Sequence, residues 1–180
     1  IPWHHLCKEE NPPITEAALP EKASIIGRTG LMLLSCGTGA WRVRSSMNTL
    51  ARTMGITCTA DVGLVSIEYT CIDKTETFSQ SLCLTTTGVN TAKLSELENF
   101  VLDFPAKHAS KTSKHLHKFL DHIEQRPGHY TPPALGLASA VACCAFTFLL
   151  GGGPLEMLCA FFGAGIGNWL RATLTKKGFT

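Results

Sequence analysis

Hydrophobic and polar positions follow three different rhythms along the chain, and each predicts a different kind of structure. Residues 1–21 follow none of them. Pro2, Pro12, Pro13 and Pro20 are interleaved with charges and no apolar run has signal-peptide length, so the segment reads as an irregular leader. From 22 to 54 the spacing is helical. Ile25, Ile26, Leu31, Met32, Leu33 and Leu34 make a strongly apolar first helix, punctuated by Gly37 and Gly39. A second, from Ala40 to Met54, sets Trp41, Val43, Met47, Leu50 and Met54 against Arg42, Arg44 and Arg52, and Gly55 ends it. Over 56–86 the rhythm changes to rough alternation of β-branched and aromatic residues, which predicts strands with a turn at Asp73-Lys74. Gly88-Val89-Asn90 reads as a loop. Thr91 then caps a helix that Pro105 stops, and an amphipathic helix over about 107–125 puts Leu116, Phe119, Leu120 and Ile123 on one side.

Beyond Tyr130 the polar positions almost vanish. Pro132 to Gly153 carries no charge, and Leu155 to Leu170 carries one, Glu156. Crossing the hydrocarbon core takes about 20 apolar residues in a helix, with a range of about 17–25. A helix packed in a soluble domain keeps one polar face, which the first run lacks. The pattern therefore predicts two transmembrane helices, about 132–151 and 154–171, broken by Gly151, Gly152, Gly153 and Pro154. The predicted fold is an α+β cytoplasmic domain over 22–130, with helices and a small mostly antiparallel sheet, followed by a transmembrane α-helical hairpin over 131–173 and a basic tail over 174–180. Lys107, Lys111, Lys114, Lys118 and Arg126 precede the hairpin and Arg171, Lys176 and Lys177 follow it, while the glycine turn has no positive charge. That asymmetry puts both flanks in the cytoplasm. Gly163 and Gly167 form a GxxxG spacing suited to close helix packing or to lining a pore. Glu156 is either a functional carboxylate inside the membrane or a solvated one favoured at a helix start.

Composition narrows the function classes. The 180 residues are 44% hydrophobic and 17% charged, with a formal net charge of +2. Mean hydropathy is +0.12. A disordered chain is excluded, and a nucleic-acid partner is not expected. The eight cysteines lack CxxC spacing and read as small hydrophobes in a reducing compartment. His4 and His5 read as a solvated pair in the leader. His108, His115 and His122 recur every seven residues, a face that suits anionic lipid headgroups better than a metal or a pH sensor. No GxSxG, HExxH or P-loop occurs. Gly27-Arg28-Thr29-Gly30 is only superficially a phosphate loop, because it lies inside an apolar helical run. No catalytic residue, cofactor or metal is assigned, and the chain is not expected to be an enzyme.

Three blocks, in this order, resemble the bacterial threonine/serine exporter family, whose relatives include two-component dicarboxylate exporters. They are LMLLSCGTGAWRVRSSMNTLARTMGI (31–56), GVNTAKLSEL (88–97) and FTFLLGGGPLEMLCAFFGAGIGNWLR (146–171). By position, Gly37, Trp41, Arg42 and Val43 belong to the first, Gly88, Val89, Asn90, Lys93 and Leu94 to the second, and Gly151, Gly152, Gly153 and Glu156 to the third. Gly39 and Arg44 replace the acidic residues that often flank the aromatic-Arg pair, and Thr87 the basic residue before GVN. The resemblance implies an inner-membrane protein exporting a small hydrophilic metabolite, threonine and serine or a dicarboxylate such as succinate, by antiport driven by the proton-motive force. It also implies about five spans in such a half, so the two here point to a fragment or to a need for a second membrane subunit or a homo-oligomer. Glu156 is then the coupling candidate. The competing class is a membrane-anchored metabolite-binding or regulatory module without transport.

Overall fold

Helix α1 (Leu19–Ser35) is buried on nearly every side: apolar residues such as Ile25, Ile26 and Leu33 fill the core, and the charged Lys22 and Arg28 are buried with ion-pair partners. The computed structural model describes residues 3–6, 12–74, 76–84, 87–126 and 130–176. They form two compact units, 1–127 and 128–180.

In the first unit α1 is the axis. It packs against α2 (Ala40–Thr53), α3 (Thr91–Asp103), α4 (Ser113–Gln125) and two of three strands. The strands β1 (Thr57–Val62), β2 (Ser66–Asp73) and β3 (Glu76–Cys83) make an antiparallel meander in the order β1-β2-β3. Register follows the period of two: Cys58, Ile67, Tyr69, Cys71 and Leu82 face the core. Cys58 and Cys71 are directly opposite and unbonded. The hydrogen bond to Cys58, with burial, pushes the Cys71 thiol up and keeps it protonated. Gly27 and Gly30 let neighbours close on α1, since a Cβ would lie 2.3 Å from the Tyr69 hydroxyl at one and 2.7 Å from Met47 Sδ at the other.

The mixed fold expected of this region is the one observed, with differences at the edges. Helix α1 starts at Leu19, inside the predicted leader. The described part of that leader is packed, with Trp3, Ile14 and Ala17 buried and a bridge from Pro13 to Thr112. The first alternating run is two strands, because Gly63, Leu64 and Val65 turn the chain. The cap of α3 is Asn90, not Thr91: its side-chain oxygen accepts from the Lys93 amide at 3.1 Å. Pro105 does not end the helical path. The chain continues through a π-helical turn, Phe104–His108, and α4 begins only at Ser113 behind the Thr112 cap. Trp41 is 69% exposed rather than on the buried side of α2.

The second unit is two antiparallel helices, α5 (Pro132–Leu149) and α6 (Pro154–Lys176). One helix among those described, α5, is long and apolar enough to cross a membrane. In the pair Gly136 and Ala140 are the buried residues of α5, while Leu137, Val141, Phe146, Phe162 and Ile166 are exposed.

Candidate functional site

The first two sequence blocks meet in space. Helix α1 ends at Gly37, whose φ of +80° is a left-handed conformation favouring glycine. Carbonyls left over at that helix end then receive the next block: the Gly88 amide donates to Ser35 O at 3.1 Å and the Asn90 amide to Cys36 O at 3.3 Å. Val89 lies against Gly37. Lys93 Nζ donates to the Glu124 carbonyl at 2.6 Å, tying the start of α3 to the end of α4, and Arg126 pairs with Glu96. On the outer side of this junction Arg42 pairs with Glu98 at 2.9 Å, and its guanidinium carbon lies 5.7 Å from the centre of the Trp41 ring. These two side chains, with Ser45, Ser46, Thr49, Val101 and Leu102, line a groove of about 230 Å³ between α2 and α3.

A second polar cluster lies inside the unit, and the spacing arguments missed half of it. Arg28 is buried in α1. Its Nη2 donates to Asp121 Oδ1 and Glu124 Oε2, each at 2.6 Å, and its Nη1 to the His117 carbonyl at 3.1 Å. Ser24 Oγ lies 3.0 Å from His117 Nε2 and donates its only proton to the Glu21 carbonyl at 2.7 Å. The serine therefore accepts from His117 Nε2–H, and His117 Nδ1 turns its lone pair toward Arg28 Nη1 at 3.4 Å. That polarity is the reverse of a serine activated by a histidine base. Burial, then Arg28 and His4, push the His117 pKa down to about 4, against the opposing pull of Asp121. Burial alone would raise the Asp121 carboxyl, but Arg28 and then His4 hold it below its usual value. Trp3 stacks on His117 with centroids 6.4 Å apart, and His4, expected to be solvated, reaches Asp121 at 3.0 Å. A charged Arg28 in an apolar run was a legible signal, because such a residue is buried only with partners. His117, Asp121 and Glu124 at helical spacing on α4 would have supplied them.

The expected histidine face is broken. His108 sits in the π-helical turn ahead of α4, among the rings of Phe100, Phe104 and Phe119. His115 and His122 are exposed on α4. Among the described residues, no group of three His, Cys, Asp or Glu side chains is arranged to hold a metal ion.

The third block forms the turn of the second unit, and its three glycines do different things. Gly151, at φ +83°, closes α5 in the left-handed conformation. Gly152 donates to Thr147 O at 2.9 Å, and a Cβ there would lie 2.5 Å from Thr147 Cγ2. Gly153 precedes α6, and its carbonyl accepts the Met157 amide at 3.0 Å. Glu156 is exposed in the first turn and folds back so that its Oε2 would be 2.8 Å from a Gly153 Cβ. A carboxylate there complements the positive end of the helix. Between the helices the close approach is made by Gly136 and Gly165: a Cβ on Gly136 would lie 2.9 Å from Gly165 O. Cβ atoms on Gly163 and Gly167 would meet nothing within 4 Å.

The family described as "Putative threonine/serine exporter" (ThrE) matches residues 24–180, a span that takes in all three blocks. The chain belongs to the ThrE family. No curated protein and no solved structure matches it. The description is that of an exporter family rather than of an enzyme family. Membership favours transport across a membrane and a small substrate.

Proposed function

We propose that this ThrE protein is a component of an inner-membrane exporter of threonine and serine. In this reading α5 and α6 are both membrane crossings, and the α+β unit and the carboxy terminus lie in the cytoplasm. The observation that carries it is the family match across both units. The apolar residues exposed on the helix pair, such as Val141, Phe148 and Phe162, support a lipid surrounding. The cationic flanks and the uncharged glycine turn support the orientation.

A zwitterion crosses hydrocarbon only through a polar path, and two helices do not enclose one. The reading therefore includes further membrane helices, from a second subunit or from copies of this chain. The open Gly163–Gly167 face of α6 is the surface offered to them, because α5 leaves it free. Export draws on the proton-motive force, with Glu156 as the group that gains and loses the proton.

Glu156→Gln tests the coupling role, since glutamine keeps the size and removes the charge. In vesicles holding the assembled exporter, a proton gradient should drive threonine efflux at least tenfold more slowly in the variant. Unchanged efflux would remove Glu156 from coupling. Leucine at both Gly163 and Gly167 should leave the α5–α6 pair intact while abolishing assembly, read by cross-linking.

A further inference from the structure

We infer that the groove between α2 and α3 is a binding site for a zwitterionic α-amino acid with a small hydroxylated side chain. It lies wholly within the α+β unit. The choice of threonine and serine as ligands rests on the exporter reading; the groove and its charges do not.

Three features of the groove select this chemistry. The first is a pair of opposite charges presented together. Arg42 Nη1 meets Glu98 Oε1 at 2.9 Å through a single contact, so the rest of the guanidinium fork and the second carboxylate oxygen remain available. An α-carboxylate fits the planar Arg fork with two hydrogen bonds, and the neighbouring ammonium fits the free Glu98 oxygen. The ligand repeats, in reversed sense, the charge pair it meets. Both side chains are about half exposed, at 51% and 39%, so the existing pair is screened by water and contributes little to folding. Opening it for a ligand costs correspondingly little.

The second feature is the orientation of the arginine. Its guanidinium carbon lies 5.7 Å from the centre of the Trp41 ring, within the range of a cation–π contact that orients the fork. That contact gives a reason for an indole to stand 69% exposed at the start of α2. The third is the wall. Ser45, Ser46 and Thr49 follow Arg42 at helical spacing along α2, facing Val101 and Leu102 from the α3 side. The Thr49 hydroxyl donates to Ser45 O at 3.0 Å, which leaves its lone pairs to accept. One row supplies hydrogen bonds for a side-chain hydroxyl and the other an apolar surface for a methyl group. A groove of about 230 Å³ is below the roughly 300–1,000 Å³ usual for larger ligands, which suits a small metabolite.

The test is calorimetric titration of the full chain in detergent with L-threonine and L-serine. The expected result is saturable binding of both, lost for threonine methyl ester, which lacks the carboxylate, and for N-acetylthreonine, which lacks the ammonium. Arg42→Gln and Glu98→Gln should each weaken binding at least tenfold, with unfolding midpoints unchanged because both side chains are exposed. Ser46→Val should weaken threonine and serine while leaving alanine unaffected, a readout that a structural role would not move. Absence of saturable binding by the folded chain, or unchanged binding in both charge variants, overturns the inference. Export that persists without binding sinks the groove alone. Binding that persists in a chain unable to export, with its membrane partners present, sinks the exporter reading alone.

Discussion

Arg28 shows how one residue can organise a domain interior. It lies in the middle of α1, buried among residues such as Ile25 and Met32, and its charge is balanced by Asp121 and Glu124 across on α4. Arg28→Met keeps most of the side-chain volume but strands the His117 ring and two carboxylates. Breaking a buried ion pair from one side costs about 3–5 kcal/mol, and the partial exposure of Asp121 and Glu124 places this case near 3. Denaturant unfolding of the full chain in detergent measures it; a loss under about 1 kcal/mol would show that Arg28 does not hold α1 to α4. The same cluster sets a pH dependence. His117 has a pKa of about 4 in the folded chain and an ordinary value near 6.5 unfolded. Between those values the unfolded chain takes up a proton that the folded one refuses. Stability is therefore complete above about pH 6.5 and falls as pH drops toward 4, by about 3 kcal/mol in all. His117→Gln should flatten the unfolding midpoint against pH in that window. The smaller slope left belongs partly to His108, whose pKa burial also lowers. An unaltered profile would assign the dependence elsewhere. Little of this was legible in the sequence: the histidines were grouped by their interval of seven, which overlooked His117, while Arg28 stood in plain view as a charge in an apolar run.

At the scale of elements, legibility followed the punctuation. Helix α2 and the break between α5 and α6 were placed closely because glycine and proline mark their ends. The start of α4 was placed too early. Residues 107–112 contain no proline or glycine to mark a boundary, and nothing at Pro105 distinguishes a stop from the π-helical turn that forms. The fit of α1 against the sheet was invisible, because it depends on Gly27 meeting Tyr69 from a strand far along the chain. The Tyr69 hydroxyl donates to the Ala23 carbonyl at 3.0 Å and lies 2.9 Å from Gln80 Oε1. Gly27→Ala would gain about 1 kcal/mol of helix propensity. It would also drive a methyl group into a ring held on both sides, where overpacking costs about 1–3 kcal/mol and the hydrogen bonds suffer too. The expected result is net destabilisation with loss of the α1–sheet contact, seen as faster amide exchange in β2 and β3. A stabilised G27A variant would show that the ring can move aside. The groove between α2 and α3 was half legible: Trp41 and Arg42 were singled out as motif positions, but Glu98 joins them only through the packing of α3.

At the scale of the whole molecule, the two units obey opposite rules about where apolar side chains go. In the first, Ile25, Met47, Leu50, Leu97 and Phe100 are buried and most charges are outside. In the second, glycine and alanine fill the helix–helix contact, and large side chains such as Val141, Phe162 and Ile166 face outward. An outward-facing apolar residue costs nothing in lipid, the environment that the proposed function gives this unit. The solvent around each unit can therefore be tested by the same kind of substitution. On a surface in water, exchanging an exposed apolar residue for lysine changes stability by only about 0.5 kcal/mol in either direction. At the centre of a membrane helix it costs about 2.5–3.5 kcal/mol. Leu64→Lys, at an exposed position in the turn between β1 and β2, should leave the fold and the fraction of chain that resists alkaline extraction from membranes unchanged. Val141→Lys and Ile166→Lys, each near the middle of its helix, should lower that fraction, and together should lower it further. If only Val141→Lys acts, α5 crosses the bilayer while α6 does not, and the two-crossing arrangement fails. If neither acts and the wild-type chain is recovered in solution without detergent, these apolar faces are covered by protein rather than by lipid.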